Sequence, residues 1–409
     1  MTGSLGAALL LVALQTDSLP PRTEPSDSAL VAAPGIHLRI QGTAPLLGAA
    51  AVLPAGAASD PAGGSGTAWV YGRLLEAELS RRLRFSAATV RVSVRRFETV
   101  VTLLSPPESA ARDLRQVEEA VGQRRFDLED FERVKADLAR QLRFERGAPV
   151  FTFEEERSSL MYDRRWGGTL QGRLEEVEAL EAATLERWIA RLDRAQITFV
   201  AVTPPGLALP ATDLAQGPVR SAPPSASAVR WAWDDARHER LERSITHAWV
   251  TVDAPVRADL DPTAVDLLVH HLEEILSPTP PDPGIYSADV EVLRTPEGPV
   301  LSVTAAVAPE AAERWAARLE DAVRLEDLEA WTDERQFSWL RRRFRNAWLT
   351  REASPERAAE RIARDLAAGH APRDPLAETA HLEAGSLRAL RDAVGPARVL
   401  VYGPVLGQS

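Results

Sequence analysis

The stretch DPAGGSGTAWVYGRLLEAEL, residues 60–79, joins a glycine-rich turn directly to a segment with the apolar spacing of a helix. A glycine turn that opens into a helix is the frame of several catalytic motifs. The stretch nevertheless lacks the residues that such chemistry would need. Ser65 does not fit a nucleophile elbow, because the GxSxG pattern requires glycine at Thr67, and no GK pair follows to form a phosphate-binding loop. We therefore expect a segment that keeps the shape of an active site without its chemistry.

The composition is that of a folded protein, with 45% hydrophobic and 26% charged residues over 409 residues. A chain of this length is expected to form more than one domain. The 59 acidic residues outnumber the 48 basic ones and give a net charge of -11, which argues against nucleic acid or an anionic membrane as the main partner. The chain has no cysteine, so disulfides, thiolate metal sites and cysteine nucleophiles are excluded.

The N-terminus contains an apolar run, Leu5 to Leu14, of the length found in the core of a signal peptide. We therefore expect export to the periplasm or beyond, with a disordered leader on a cytoplasmic protein as the alternative. No later segment approaches the roughly eighteen uncharged apolar residues of a transmembrane helix, so none is expected in the body of the chain.

Two segments rich in proline and small residues divide the sequence. We predict a signal-like segment and linker over residues 1–34, a domain over 35–203, a linker over 204–239 and a second domain over 240–405. Both halves give, in the same order, an apolar strand, a helix, two alternating strands, further helices and a closing strand. This pattern predicts an α+β fold of two tandem homologous domains, each a mainly antiparallel sheet covered by helices.

Several stretches, in their order and spacing, resemble one known family. VLPAGAASDPAGGSGTA resembles the turn before a catalytic helix, FDLEDFERVKADLARQL a helix that supplies a metal ligand, and ITFVAVTPPG a domain-ending strand. WGGTLQGRLEEVEALEAATLERWIARL resembles a further helix with a glycine turn. The family is the M16 peptidases, the insulinase, pitrilysin and mitochondrial-processing-peptidase group. The resemblance implies two LuxS/MPP-like domains from Gly35 to Pro404.

Active members carry HxxEH, in which two histidines bind zinc and the glutamate is the general base, completed by a distant glutamate ligand. Zinc catalysis requires three protein ligands, an open water position and a carboxylate that takes the proton of that water. Aligned on this motif, the ligand positions are Trp69 and Arg73, the base position is Gly72, and the distant ligand falls on Gln141. None of these residues can do the family's chemistry. We therefore expect a chain that is not itself a zinc peptidase, with no metal or other cofactor.

The family also implies a use for such a chain, because inactive members often pair with an HxxEH-bearing homologue around a chamber that holds a peptide substrate. In many bacterial pairs the inactive subunit contributes an arginine and a tyrosine that hold the substrate. GIYSADVEVL resembles the stretch with the tyrosine, which places it at Tyr286, whereas the arginine position falls on Thr279 and Pro280. The sequence thus predicts a heterodimeric peptidase subunit. The alternative is a scaffold of an envelope complex, comparable with the core subunits of respiratory complex III, and a hydrolase with a relocated site ranks last.

A histidine pair, His270 and His271, lies near Glu273 and Glu274 in LLVHHLEEIL. A metal site is conceivable, but adjacent residues on a helix point about 100° apart. We favour histidines at a helix surface with salt-linked glutamates.

The segment WLRRRFRNAW, residues 339–348, mixes aromatic residues with arginine. Its spacing favours a helix with Trp339, Phe344 and Trp348 in the core and arginines in solvent, and any functional role would be contact with an acidic partner. Four other tryptophans are expected to be packing residues: Trp69, Trp166, Trp188 and Trp231.

Overall fold

The computed structural model describes residues 37–123, 125–161, 168–192, 196–207, 233, 235–257, 260–276, 284–295, 298–326, 333–370 and 372–404. The chain divides into two compact units. Unit 1 falls within Met1–Arg143, Thr169–Ser225 and Thr350–Arg373, and unit 2 within Phe144–Gly168, Ala226–Leu349 and Asp374–Ser409. Each unit thus includes a segment from the opposite half of the sequence. Most of the predicted linker 204–239 lies outside the described residues, and the boundaries of the homologous domains stay a prediction.

Unit 1 contains a five-stranded sheet with the order β1-β5-β2-β4-β3. Only β1 and β5 pair in parallel, and the other neighbours are antiparallel. The strands are β1 His37–Gln41, β2 Leu47–Leu53, β3 Thr89–Val94, β4 Thr99–Ser105 and β5 Thr198–Thr203. The helices of unit 1 are α1 Thr67–Arg82, α2 Ala110–Gly122, α3 Leu128–Glu145, α5 Leu174–Glu178, α6 Ala182–Arg191 and α10 Pro355–Ala367.

Unit 2 repeats this sheet, with the order β6-β10-β7-β9-β8 and one parallel pair, β6 with β10. Its strands are β6 Arg237–Glu242, β7 Ala248–Pro255, β8 Ile285–Thr295, β9 Gly298–Val307 and β10 Arg398–Gly403. Its helices are α4 Pro149–Met161, α7 Pro262–Leu276, α8 Ala312–Val323, α9 Glu334–Glu352, α11 Pro375–His381 and α12 Ala384–Arg391. The expected fold, two mainly antiparallel sheets with helices, is confirmed.

Helices cover the sheets because the central strands are apolar on both faces. In unit 1, every residue of β2 and of β5 is buried. One face of this sheet packs against α10, which presents Ala359, Ile362 and Ala363 at the i, i+3, i+4 spacing of an amphipathic helix. The second sheet forms a larger core with α7, α8 and α9. Within the described residues, no helix combines the length and the apolar character that crossing a membrane requires.

Candidate functional site

The glycine-rich turn before α1 is held by two carboxylates. Asp60 Oδ2 accepts from the amide of Gly66 at 2.7 Å, and Asp60 Oδ1 accepts from the amide of Ala68 at 2.8 Å. Glu176 Oε2, on α5, accepts from the amide of Ser65 at 2.9 Å. These three amides would otherwise lack partners at the start of the helix. The carboxylates therefore fix the turn and the direction of α1 together.

The same turn packs against the segment that precedes α5. Gly66 and Gly172 both have positive φ, 91° and 83°, and a Cβ on Gly172 would lie 2.4 Å from the Gly66 nitrogen. The amide of Arg173 donates to Ser65 Oγ at 2.9 Å. The serine that the glycine-rich pattern singles out is thus a structural hydrogen-bond acceptor.

Burial raises the pKa of Asp60 to about 7. The hydrogen bonds from the Ala68 and Gly66 amides oppose this shift, and the neighbouring negative charge of Glu176 adds to it. The carboxyl is neutral in the folded chain at a pH where it is ionised in the unfolded chain. Its contribution to stability is therefore complete below about pH 4 and is lost as the pH rises through 7.

Asp60→Asn is expected to remove this pH dependence, because the amide does not titrate. The variant loses one acceptor and is less stable than the wild type at pH 5, and the difference in unfolding free energy shrinks towards pH 8. A shift of about three pKa units limits the pH-dependent change in this free-energy difference to at most roughly 4 kcal/mol. Urea unfolding of both proteins at the two pH values measures it. A difference that stays constant or grows with pH would mean that Asp60 is ionised throughout.

The residues at the two histidine positions of the motif interact with each other. The guanidinium of Arg73 lies 5.3 Å from the centroid of the Trp69 ring, and Arg73 Nη1 is 2.8 Å from Glu76 Oε2. If the predicted alignment with HxxEH holds, a cation occupies a position where the motif has a histidine. Arginine is protonated at any physiological pH and repels a metal ion.

The base position by this alignment, Gly72, has no side chain and is closely packed. A Cβ on Gly72 would lie 2.3 Å from Val94 Cγ2, on the neighbouring strand β3. No real Cβ contact is that short, so a larger residue at position 72 must displace the Val94 side chain or part α1 from β3.

The helix with the fourth position runs antiparallel to α1. At one end, Arg81 Nη2 on α1 is 3.3 Å from Asp130 Oδ2 on α3. At the other end, Arg143 on α3 pairs with Glu178 on α5, whose Glu176 binds the turn before α1. These two links place the C-terminal end of α3 near the start of α1, and the half-buried Gln141 is at that end.

This donor set does not fit zinc. Indole and guanidinium supply no lone pair to a metal, glycine has no side chain, and a neutral amide is a weak ligand beside a carboxylate. Among the described residues, no group of three histidine, cysteine, aspartate or glutamate side chains could hold a metal ion.

Tyr286 lies on β8, an edge strand of unit 2, and its side chain is 66% exposed. The β8–β9 register shifts between Ile285 and Ser287, and such a bulge re-aims the side chain of the extra residue. The Tyr286 ring contacts only the edge of the His247 ring among described aromatic partners, with centroids 6.4 Å apart. Thr279 and Pro280, at the predicted arginine position, lie outside the described residues.

The histidine pair is on α7 as predicted, but the predicted surface position is wrong. His271 is fully buried and His270 is 8% exposed. His270 contacts Phe344 and lies 3.8 Å from Glu273 and 3.9 Å from Glu274. Both histidines are buried because the apolar face of α7 is wide. Most residues before and after the pair in this helix are buried as well.

The arginine-rich segment is the helix α9, and one of its three predicted core aromatics is misplaced. Phe344 and Trp348 are buried, whereas Trp339 is 36% exposed. At 100° per residue Trp339 points about 140° away from Phe344, so the three cannot share a face. Trp188 is a buried packing residue whose indole donates to the Ser59 carbonyl at 3.0 Å, and Trp69 is half-buried. Trp166 and Trp231 lie outside the described residues.

The sequence interpretation missed the structural role of Asp60 and Glu176. Asp60 stands eight residues before Ala68, too far for the local N-cap pattern to identify it. Glu176 is 111 residues from its partner Ser65, so no local signal could have paired them.

The fold can be compared with known proteins. No protein-family model and no curated protein matches the sequence. Solved structures with a similar fold include a protease from Helicobacter pylori, with a TM-score of 0.71 and 12% identity over 93% of this chain and 100% of that one. A structure described as a peptidase M16 inactive domain from Pseudomonas fluorescens has a TM-score of 0.65 and 13% identity over 93% and 98% of the two chains. The periplasmic protease PqqL from Escherichia coli has a TM-score of 0.65 and 15% identity, over 95% of this chain and 47% of that one. The fold of this chain is therefore that of the M16 peptidase-like proteins, as its sequence motifs predicted.

Proposed function

We propose that the chain is a noncatalytic M16-like subunit that pairs with an HxxEH-bearing homologue and helps to form the chamber of a zinc peptidase. The observation that carries the proposal is the packing of Gly72, where a Cβ would lie 2.3 Å from Val94 Cγ2, so that a catalytic base at this position would have to displace its neighbour. The Arg73 guanidinium over the Trp69 ring supports it, because these residues replace both histidines. Loss of both ligands and the base together is stronger support than one substitution would be.

The comparison with the Pseudomonas fluorescens structure supports the same assignment. That structure is described as an inactive M16 domain, and this chain covers 98% of it. An inactive M16-like domain would act together with a homologous domain that supplies the metal site. We therefore propose a heterodimer as the working form.

Tyr286 is the candidate contact to a peptide held in the partner's site. Its side chain is exposed on an edge strand, where its hydroxyl can donate a hydrogen bond to a peptide carbonyl. In this proposal the tyrosine acts without the arginine found in many bacterial pairs, since threonine and proline occupy positions 279 and 280.

We propose a periplasmic location for the complex. The apolar run from Leu5 to Leu14 has the length of a signal-peptide core, and the similar protein PqqL is described as a periplasmic protease. The alternative is a cytoplasmic complex. Fractionation of cells that express the tagged chain, followed by determination of its mature N-terminus, distinguishes the two.

A scaffold role without a peptidase partner is the second candidate. The absence of arginine at positions 279 and 280 favours it, because the residue that would hold substrate is missing. A scaffold would share the inactive site but would not associate with an HxxEH-bearing protein.

The purified chain tests the noncatalytic assignment. We expect less than stoichiometric zinc by elemental analysis after dialysis, and no cleavage of a quenched fluorescent peptide library with or without added zinc. Chelator-sensitive cleavage that copurifies with the chain and survives in a preparation free of other proteins would overturn the assignment.

Restoring the motif gives a sharper prediction. The variant Trp69→His/Gly72→Glu/Arg73→His is expected to bind no stoichiometric zinc and to be inactive, because a side chain at residue 72 collides with Val94. We expect its free energy of unfolding to be roughly 1–3 kcal/mol lower than that of its control, Trp69→His/Arg73→His, which keeps the glycine. Urea unfolding and zinc analysis compare the two. Equal stability with stoichiometric zinc in the triple variant would mean that the base position has space.

A further inference from the structure

Helix α9 has two faces of opposite character. Its buried face contains Phe337, Leu340, Phe344 and Trp348, which belong to the core of unit 2. The opposite face, which also carries the exposed Asn346, includes five exposed residues that we call the basic face: Arg335, Trp339, Arg342, Arg345 and Leu349. At 100° per residue these five side chains fall within an arc of about 120°.

The arginines of the basic face make no ion pair with any residue that the structure describes. The neighbouring Arg343 differs, because its Nη2 is 2.7 Å from Glu274 Oε1 and its guanidinium lies 4.8 Å from the Trp339 ring centroid. The acidic residues of the helix are at its two ends, and Glu352 at the C-terminal end is held by Arg361 at 2.8 and 2.9 Å. Three cations therefore remain available on one helical surface.

This concentration of charge is unfavourable for the helix itself. Like charges three or four residues apart repel each other, and Arg335 is also a cation in the first turn, where the helix dipole disfavours it. The chain as a whole has the opposite balance, with a net charge of -11. Nothing in the folding of α9 requires these arginines, since its core contacts are made by the other face.

Two apolar side chains lie among the arginines. Trp339 is 36% exposed and Leu349 is 40% exposed, although both are large hydrophobic residues. Tryptophan and arginine are the side chains most enriched among the residues that dominate protein interfaces, and arginine binds a carboxylate with two parallel hydrogen bonds. The basic face thus combines an apolar anchor with carboxylate-binding groups.

We propose that the basic face of α9 docks an acidic protein segment, one that presents aspartate or glutamate to Arg335, Arg342 and Arg345 and apolar side chains to Trp339 and Leu349. Charge complementarity favours this partner. The chain as a whole is acidic and repels acidic proteins, whereas the basic face attracts them. Nucleic acid is the competing anionic ligand. Nucleic acid fits less well, because tight binding of a phosphate backbone needs more positive charge than three arginines supply.

The test uses the full-length chain and a fluorescein-labelled peptide of about 20 residues. In this peptide leucines recur at helical spacing, so that they share one face, and glutamates lie between them. Fluorescence anisotropy is measured at low and high salt. A peptide with serine in place of leucine and a single-stranded DNA of equal charge are the comparison probes. We expect the leucine peptide to bind more tightly than either, with an affinity that falls as salt rises.

Variants locate the binding to α9. Arg342→Glu/Arg345→Glu is expected to weaken peptide binding at least about tenfold, and Trp339→Ala by about threefold or more. The matched control, Arg115→Glu/Arg187→Glu, makes the same charge change at two exposed helical arginines of unit 1 and should alter binding less than about twofold. Circular dichroism checks that all variants fold.

Three outcomes would overturn the proposal. One is the absence of peptide binding by the wild type, and another is equal binding by Arg342→Glu/Arg345→Glu and the control. The third is tighter binding of the DNA than of the leucine peptide. None depends on whether the chain pairs with a peptidase, so the proposed function can fail or stand independently.

Discussion

Gly48→Ala is expected to destabilise the chain by about 3 kcal/mol or more, because the added methyl group meets backbone that cannot move aside. Gly48 lies on β2, and a Cβ there would be 2.1 Å from the Pro355 carbonyl carbon and 2.3 Å from the Glu356 nitrogen. The first turn of α10 rests directly on this strand. The substitution must displace the helix or open the core between α10 and the sheet.

The matched control is Gly147→Ala, because a Cβ at residue 147 meets nothing within 4 Å. Its unfolding free energy should stay within about 0.5 kcal/mol of the wild type. Urea unfolding gives both values, and hydrogen exchange should show faster exchange in β2 and α10 of the Gly48 variant. Equal stability of the two variants would mean that Pro355–Ala367 does not cover the first sheet.

Asp253→Ala is expected to cost about 3–5 kcal/mol, because it leaves a buried guanidinium without its main counter-charge. Asp253 on β7 is fully buried, and its Oδ1 lies 3.3 Å from Nη2 of Arg157, whose side chain is 8% exposed. The same guanidinium nitrogen donates to the Ser302 hydroxyl. Glu154 Oε2 at 3.6 Å and Glu291 Oε1 at 3.8 Å also face this guanidinium, but both side chains are about half exposed, so they compensate only in part.

A double-mutant cycle separates the pair from its surroundings. Arg157→Met alone should also be strongly destabilising, since it leaves Asp253 buried and charged, whereas Arg157→Met/Asp253→Leu should cost far less than the sum of the single variants. The exposed pair Arg140 and Asp137 is the control, and Arg140→Met should cost less than about 1 kcal/mol. Additive single effects would contradict a buried ion pair between α4 and the second sheet.

Local pattern predicted some helices well. The quoted segments FDLEDFERVKADLARQL, residues 126–142, and LLVHHLEEIL, residues 267–276, lie almost entirely within α3, Leu128–Glu145, and α7, Pro262–Leu276, because each helix has a clear apolar period and a proline or an acidic residue at its start. The stretch after Leu174 was predicted as one helix but forms α5 and α6. The break leaves the Leu180 carbonyl free to accept from Lys135 Nζ at 3.2 Å, a tertiary contact that no local pattern contains.

The exchange of segments between the two halves could not be predicted from local pattern. The helix α10 has readable signals, with Pro355 in its first turn and apolar residues at i, i+3 and i+4. Those signals indicate a helix with one buried face, and they do not indicate which sheet it covers. Only a three-dimensional contact, such as the packing of Pro355 on Gly48, determines that α10 belongs to unit 1.

The sequence predicts that the candidate site lacks the motif residues, but it does not predict how tightly Gly72 is packed. Aligned with HxxEH, the sequence has tryptophan, glycine and arginine, which are not the side chains that zinc catalysis requires. The structure adds that a Cβ on Gly72 would lie 2.3 Å from Val94 Cγ2, so we expect that a glutamate there would disturb the packing of α1 on β3. That packing depends on the distance between α1 and β3, which residue types at these positions do not determine.

The measurement that tests the account most directly is a native pull-down of the tagged chain from its own organism. Mass spectrometry identifies the partners, and a peptide assay with and without chelator measures cleavage by the eluate. We predict recovery of an HxxEH-bearing homologue at comparable stoichiometry, together with zinc-dependent cleavage that the isolated chain lacks. Recovery of other proteins alone, with no cleavage, would contradict a peptidase subunit and leave a scaffold that has kept the M16 fold.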